Sequence, residues 1–178
     1  MATVVGLSID DGHHFSKRAV ERVTMVAGVG IEGDVHAGPL VQHRSRVRVD
    51  PNQPNLRQVH LIDDAVFAVA ASAGFEIDHG DLGENVTVSG LDVHGLAVGT
   101  MLRLGGSAFV AVTGLRNPCG QINGLRPGLL DVLRRADGGD IVRRAGIMGV
   151  VVRGGEVRVG DEVTWSVPPG PPEPLRPV

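Results

Sequence analysis

The chain has a single cysteine, Cys119, and the loop around it holds the residue types best suited to chemistry. The apolar, β-prone run 109–112 predicts a strand that leads into this loop. Asn117 precedes a proline, which disfavours helical backbone there, and Gly120 lets the chain turn directly after the thiol. Arg116 lies three residues before Cys119. A nearby cation favours the thiolate, which is the form that attacks electrophiles and binds metals.

The alternative for Cys119 is a structural role. A lone cysteine is most often a small, buried apolar side chain, and an apolar stretch would favour that interpretation. Cys119 instead lies between Pro118 and Gly120, where a packed core is not expected. We therefore predict a reactive or metal-ligating thiol in a rigid loop at the end of a strand.

The composition sets limits on the kind of protein. A chain of 178 residues fits one domain, which we assign to residues 1–167, followed by a Pro-rich, irregular and mobile tail at 168–178. The net charge of −3 favours neither nucleic acid nor an anionic membrane as a partner. One cysteine cannot form an internal disulfide, and the N-terminal residues lack signal-peptide character, so a cytoplasmic location is expected.

Short β-prone runs separated by glycine turns dominate the chain. They predict a mostly β (α+β) fold, a closed or partly closed antiparallel β-barrel with a few short helices. The predicted helices cover 64–73, capped by Asp63, and 127 to about 135, opened by Pro127. The predicted strands cover 3–9, 21–27, 56–62, a short run after Asn85, 101–104, 107–112, 141–152, 156–159 and 163–167. Glycine pairs at 105–106 and 154–155 predict two hairpins.

Two polar stretches invite a ligand-binding interpretation. The segment 28–39 contains a literal G-x-G-x-x-G, but Gly38 and Pro39 follow, so no helix can present its amides to a pyrophosphate. We interpret it as a glycine-rich loop between strands. The segment 43–55 carries Arg44, Arg46 and Arg48, which are either solvated or face an anionic ligand; the spacing does not decide between them.

Four motifs together resemble a known family. They are Gly30-Ile-Glu-Gly-Asp-Val-His-Ala-Gly38; Leu82-Gly-Glu-Asn-Val86 with Gly90-Leu-Asp92; Thr113-Gly-Leu-Arg-Asn-Pro-Cys119; and Ala145-Gly-Ile-Met-Gly-Val150 with Gly154-Gly-Glu-Val-Arg-Val-Gly-Asp161. None is specific alone, but their order along residues 3–165 resembles a stand-alone MOSC domain, named for the C-terminal domain of molybdenum cofactor sulfurases.

The resemblance implies a β-barrel with a deep pocket and places Cys119 at the position of the family's functional cysteine. In some members this cysteine ligates the molybdenum of a pterin cofactor, and the enzyme reduces N-hydroxylated bases or amines. In the sulfurases the domain receives sulfur. Two hypotheses follow: a molybdopterin-binding protein that acts as a reductase with Cys119 as the metal ligand, or a metal-free sulfur-transfer protein with a persulfide on Cys119. A third alternative is a binding domain that has lost its chemistry.

The same resemblance implies the ligands and partners. The partners would be the pterin cofactor or a sulfur donor, with a redox partner protein or a cysteine desulfurase. One cysteine cannot hold an iron–sulfur cluster, and the histidines lack zinc-ligand spacing, so neither metal group is expected. For His36, His60, Asp34 and Glu84, a role in holding the local backbone is the alternative to ligand binding. The candidate cofactor-binding residues are Gly33, Asp34, His36, His60, Glu84, Asn85, Arg116 and Asn117.

Overall fold

The computed structural model describes residues 1–138 and 140–178, and strands dominate it. The strands are β1 (Ala2–Ile9), β2 (Arg18–Val20), β3 (Arg22–Val26), β4 (Gly30–Ile31), β5 (Val59–Asp63), β6 (Val86–Ser89), β7 (Met101–Leu104), β8 (Ala108–Leu115), β9 (Arg134–Asp137), β10 (Asp140–Arg143), β11 (Ile147–Arg153), β12 (Gly155–Arg158) and β13 (Glu162–Ser166). The helices are α1 (Arg44–Val47), α2 (Ala65–Ser72), α3 (Gln121–Leu125) and α4 (Leu129–Leu133), and a 3₁₀ turn covers Val93–Gly95.

The main sheet closes into a barrel. Its strand order is β13-β7-β8-β11-β5-β6-β1, and β13 also pairs with β1, which completes the ring among the described residues. The predicted mostly β barrel is therefore confirmed. It is not wholly antiparallel: β5 and β6 run parallel, with Leu61 opposite Val86. The connection between them contains α2, as a parallel pair requires a long crossover.

Alternate side chains of β5 pack into two different apolar cores. Val59 and Leu61 pack inside the barrel with residues from most of the other strands. Successive side chains of a strand point to opposite faces, so His60 and Ile62 leave the barrel on its outer side. Ile62 joins a second apolar core with α2, α3 and α4. Val59 and Leu61 thus belong to the barrel core and Ile62 to the second core, while His60 lies on the same outer face as Ile62.

Two predicted elements differ from the structure. The run 141–152 is not one strand but two, β10 and β11, separated at Ala145-Gly146. The predicted hairpin at Gly154-Gly155 is wrong, because β12 pairs with β3 while β11 pairs with β5 and β8. A Cβ at Gly154 would lie 2.6 Å from the Met25 carbonyl oxygen. Gly154 is therefore needed because the backbones of residues 154 and 25 approach each other too closely for a side chain.

The second predicted helix is also shorter than expected. It ends at Leu133, because residues 134–137 form β9 and pair with β10. The hairpin across Gly105-Gly106 is confirmed, with Leu104 opposite Ala108. No helix of the described residues is long and apolar enough to cross a membrane.

The irregular C-terminal tail lies against the barrel. Leu115, the last residue of β8, donates its N–H to the Arg176 carbonyl at 2.8 Å and accepts from the Val178 N–H at 3.3 Å. Val98 donates to the Glu173 carbonyl at 3.0 Å, and Leu175 packs on the barrel core. These contacts join the tail to the barrel. The mobility that its composition predicts stays a prediction.

Candidate functional site

A cavity of about 360 Å³ opens on the outer side of β5 and β11. His60 of β5 and its cross-strand partner Met148 of β11 form part of its wall. The cavity is lined by His13, His14, Phe15, Lys17, His36, His43, Arg44, Arg48, Arg57, His60, Leu82, Gly83, Asn85, Arg116, Gln121 and Met148. Five of these are Lys or Arg, and none of the described lining residues is Asp or Glu, so the cavity suits an anionic ligand.

A buried ion pair fixes one part of the wall. Lys17 Nζ donates to Asp34 Oδ2 at 2.7 Å, and both side chains are almost wholly buried. Burial alone would raise the pKa of Asp34, but hydrogen bonds from His36 and the Lys17 ammonium outweigh it and hold the pKa well below its usual range. Asp34 is therefore ionised at neutral pH, and it aims Lys17 from behind the cavity surface.

Asn85 ties this ion pair to the barrel. Its Nδ2 donates to Asp34 Oδ2 at 2.9 Å and to the Ser8 carbonyl at 3.1 Å, and its Oδ1 accepts from the His60 N–H. Both amide hydrogens are used, so Asn85 positions the wall and has no donor left for a ligand.

His60 is fully enclosed and neutral. Burial, and then the Arg116 charge, lower the pKa of its imidazole to about 3. Its Nε2 donates to the Ala145 carbonyl at 2.6 Å, so the neutral ring carries its hydrogen on that nitrogen. The same turn is held from the other side, because the Gly146 N–H donates to His94 Nε2 at 3.2 Å.

Arg116 projects from the end of β8 into the cavity. Its backbone N–H donates to the Gly146 carbonyl at 3.0 Å, and its guanidinium lies 5.7 Å from the centre of the Phe15 ring. The side chain is 9 % exposed, yet its Nη1 has no hydrogen-bond partner. Burial lowers the pKa of this guanidinium, but arginine keeps its proton. A buried cationic donor without a partner is costly unless a ligand accepts from it.

Cys119 lies on the exposed side of the same site. Its thiol donates to Gln121 Oε1 at 3.4 Å, and Gln121 lines the cavity. Cys119 is exposed, whereas Arg116 is buried. A thiolate at Cys119 would favour the protonated forms of Arg57 and Arg116 and so oppose the lowering of their pKa values by burial. Burial, with Arg46 and Arg116, lowers the pKa of Arg57 to about 10, so it stays charged at neutral pH.

Histidines form the remaining side of the cavity. The His36 and His43 rings stack with their centres 4.4 Å apart. His36 Nδ1 lies 3.4 Å from Asp34 Oδ1, so the carboxylate orients the ring. Burial, followed by the charges of His36 and Arg57, lowers the pKa of His43 to about 3. His43 is therefore neutral, and it does not add to the positive charge of the site.

Five of the nine predicted residues do not line the cavity: Cys119, which lies at its exposed side next to Gln121, Asp34, which lies behind Lys17, and Gly33, Asn117 and Glu84. Gly33, with φ +78°, shapes the exposed turn before Asp34. Asn117 is exposed, and its Oδ1 accepts from Arg143 Nε at 3.3 Å. Glu84 is completely buried, its Oε1 accepts from the Gly80 N–H, and its Oε2 has no partner. Burial raises the pKa of Glu84. The predicted residues that the structure brings to the cavity surface are His36, His60, Asn85 and Arg116, with Asp34 behind Lys17.

Several cavity residues were not identified from the sequence. Lys17 is the one lysine of the chain and Arg57 lies two residues before β5, but neither belongs to a motif with a recognisable spacing. His43 and Phe15 were likewise without a signal. Among the described residues, no group of three or more His, Cys, Asp or Glu side chains is arranged to hold a metal ion.

The family follows from comparison with known proteins. A family model for the MOSC domain matches residues 32–164. The chain belongs to the MOSC domain family. The matched range contains Asp34, His60, Arg116 and Cys119 and leaves out β1, Lys17 and the tail, so the ion pair of Lys17 with Asp34 joins a residue inside the matched range to one outside it.

Solved structures show the same fold. The YuaD protein of Bacillus subtilis superposes with a TM-score of 0.74 at 28% identity, over 92% of this chain and 94% of that one. YiiM from Geobacillus stearothermophilus gives 0.62 at 16% identity, over 93% and 75% of the two chains. YiiM from Escherichia coli gives 0.63 at 18% identity, over 97% and 73%. Comparison with curated protein sequences gives no match.

Proposed function

We propose that this MOSC protein binds a molybdenum–pterin cofactor in the cavity, with Cys119 as the protein ligand of the metal, and reduces N-hydroxylated compounds. One observation carries the proposal: the buried Arg116 guanidinium, with Nη1 unpartnered, faces a cavity whose described lining residues include no Asp or Glu, and it lies three residues before the single cysteine. An anionic group in the cavity would supply the missing acceptor. A thiolate is a soft ligand of the kind that suits such a metal centre.

The donor set fits the group. The phosphate of a pterin cofactor needs cationic and N–H donors, and Arg116, Arg57 and Lys17 supply them at the cavity surface. Asp34 and Asn85 serve indirectly, because their hydrogen-bonding capacity is spent on Lys17, on His60 and on backbone groups. Phe15 and Met148 provide apolar side chains in the cavity lining for the flat ring system.

The proposed reaction breaks an N–O bond. Two electrons and two protons convert the N–OH group into N–H and release water. When bound, the cofactor supplies the two-electron redox centre. The chain supplies orientation, a cavity partly shielded from water, and a proton donor, for which His36 is placed because its ring lines the cavity and is oriented by Asp34.

Metal content tests this proposal. The full chain is expressed in a host that makes the cofactor, and molybdenum is measured against protein. We expect near-stoichiometric metal in the wild type and a large loss in both Cys119→Ser and Arg116→Ala. The matched control is Arg103→Ala, since Arg103 is exposed and lies at the opposite end of the β7–β8 hairpin. Molybdenum near zero in the wild type, equal to Cys119→Ser, rules the proposal out.

A second candidate is a metal-free sulfur carrier, favoured by the exposure of Cys119. A persulfide has to be reached by both its donor and its acceptor, and an exposed thiol meets that need. Incubation with a cysteine desulfurase and cysteine, followed by intact-mass analysis, is expected to show one added sulfur on the wild type and none on Cys119→Ser. An unmodified mass, under conditions that load a known carrier, excludes this candidate.

A further inference from the structure

The charges of the chain are strongly separated along the sequence. Segments 44–57 and 116–144 together hold ten of the 17 cationic residues and four of the 20 acidic ones, a formal charge of +6. The remaining residues carry −9. The net charge of −3 is therefore the sum of two basic segments and an acidic remainder of the chain.

Both basic segments border the cavity and the Cys119 loop. Arg44, Arg48 and Arg57 of the first segment line the cavity. In the second segment, Arg143 of β10 donates to Asn117, two residues before Cys119. The N–H of Arg144 donates to the Leu133 carbonyl, which anchors the β9–β10 hairpin on α4. We call these two segments, the second of which contains the Cys119 loop, the basic rim.

Apolar side chains are interleaved with the arginines of the rim. Val49 is 78 % exposed, and Val47, Leu56 and Ile141 are also exposed. Protein interfaces combine apolar side chains with arginine, whereas non-specific binding to a phosphate backbone comes essentially from charge and gains little from apolar side chains. The composition of the rim therefore favours a protein with an acidic face over nucleic acid.

We propose that the basic rim is the docking surface for a small, acidic electron-transfer protein, which delivers to the cavity the two electrons that the reaction consumes. This rests on the reductase proposed above. One cysteine does not allow these 178 residues to hold an iron–sulfur cluster of their own. Complementary charge would bring the partner's redox group to the Cys119 side of the barrel and speed the encounter.

Charge reversal tests the surface without altering the cavity. Arg46 and Arg135 are exposed and neither lines the cavity. Binding of an acidic [2Fe–2S] ferredoxin and of an acidic flavodoxin to the full chain is measured by calorimetry at low and high salt. We expect at least one of them to bind, Arg46→Glu/Arg135→Glu to weaken that binding at least about tenfold, and its salt dependence to decrease. The control Arg103→Glu makes one such reversal at the far end of the barrel, half the charge change of the double variant, and should change binding less than about twofold.

Three outcomes overturn the docking proposal: neither acidic protein binds, the double reversal binds as tightly as the wild type, or a single-stranded oligonucleotide binds more tightly than either protein in the same buffer. Circular dichroism of the double variant checks that it folds, and its molybdenum content checks that the cavity is unchanged. Binding of the acidic protein does not require a loaded cofactor. A wild type without molybdenum would therefore refute the proposed function, and the docking proposal would still be decided by the binding measurements alone.

Discussion

The wall and the rim of the cavity differ in burial and in hydrogen bonding. In the wall, Lys17, Asp34, Asn85 and His60 are buried and joined by direct hydrogen bonds. At the rim, Cys119 and Gln121 are exposed and joined by one weak S–H···O contact. A buried charge is expensive to change, since its partners are fixed, whereas an exposed one is screened by water. The wall thus sets the ionisation states of the site, and the rim remains open to ligands and partners.

The largest effect is expected from breaking the wall ion pair. Asp34→Asn leaves the Lys17 ammonium buried without its counter-charge and should cost about 3–5 kcal/mol of unfolding free energy. Lys17→Met/Asp34→Asn removes both charges and should cost less than Asp34→Asn alone. Asp137→Asn disrupts an exposed pair with Arg135 and should change stability by less than about 0.5 kcal/mol. Urea unfolding measures all three, and equal losses in the two single variants would contradict the comparison.

The next effect is a pH dependence that originates in the wall. The pKa of His60 is about 3 in the folded chain, against about 6.5 when unfolded. The unfolded state therefore takes up a proton first, and the stability that His60 contributes is complete above the unfolded pKa and lost as pH falls toward 3. Between pH 7 and pH 5 the unfolding free energy should fall by about 2 kcal/mol from this group.

His60→Gln isolates that contribution. Its urea-derived stability should fall less steeply over the same pH range, by about the same 2 kcal/mol. His43, with its pKa also near 3, contributes in the same direction and remains in this variant. Parallel pH profiles for the wild type and His60→Gln would show that His60 is not buried as a neutral ring.

A smaller effect is expected where the wall meets the rim. Arg116→Ala removes a cation near Cys119 and should slow alkylation of the thiol by iodoacetamide about three- to tenfold near neutral pH. Arg116→Lys should restore much of the rate, since it keeps the charge, but less of the binding of inorganic phosphate, since it lacks the planar fork. Arg103→Ala serves as the control. An unchanged alkylation rate in Arg116→Ala would show that the guanidinium does not affect the reactivity of the Cys119 thiol.

The smallest effect belongs to the rim alone. Gln121→Leu removes the acceptor of the Cys119 thiol, but the contact is exposed and weak. Alkylation should change by less than about twofold, and stability by less than about 0.5 kcal/mol. A larger change in either measurement would mean that the rim is as fixed as the wall.

The sequence predicts the barrel better than the details of its strand pairing. Gly105-Gly106 marks a hairpin because the turn is local and needs no other part of the chain. Gly154-Gly155 looks the same in the sequence, yet there the glycines allow a close approach to Met25 and Ser107, and β12 leaves for β3. Such a contact between distant parts of the chain cannot be recognised from the residues on either side of the glycines.

The site is predictable to a similar extent. Arg116 and Cys119 share one loop, so their proximity can be inferred from the sequence. Lys17 and Arg57 reach the cavity from separate parts of the chain, and only the folded barrel brings them together. Asn85 is recognisable as a motif residue, but its role as the link between Asp34 and His60 follows from hydrogen bonds that no spacing encodes.

Because the tail lies against the barrel, a probe attached after Val178 would start close to the site. The Val178 N–H bonds the carbonyl of Leu115, which directly precedes Arg116 in the chain. A fluorophore or tether attached after Val178 would therefore begin beside the strand that carries the site and report on ligand entry, whereas Met1, which is 98 % exposed, offers an attachment point without that contact. For purification, the same geometry recommends an affinity tag on the N-terminal side.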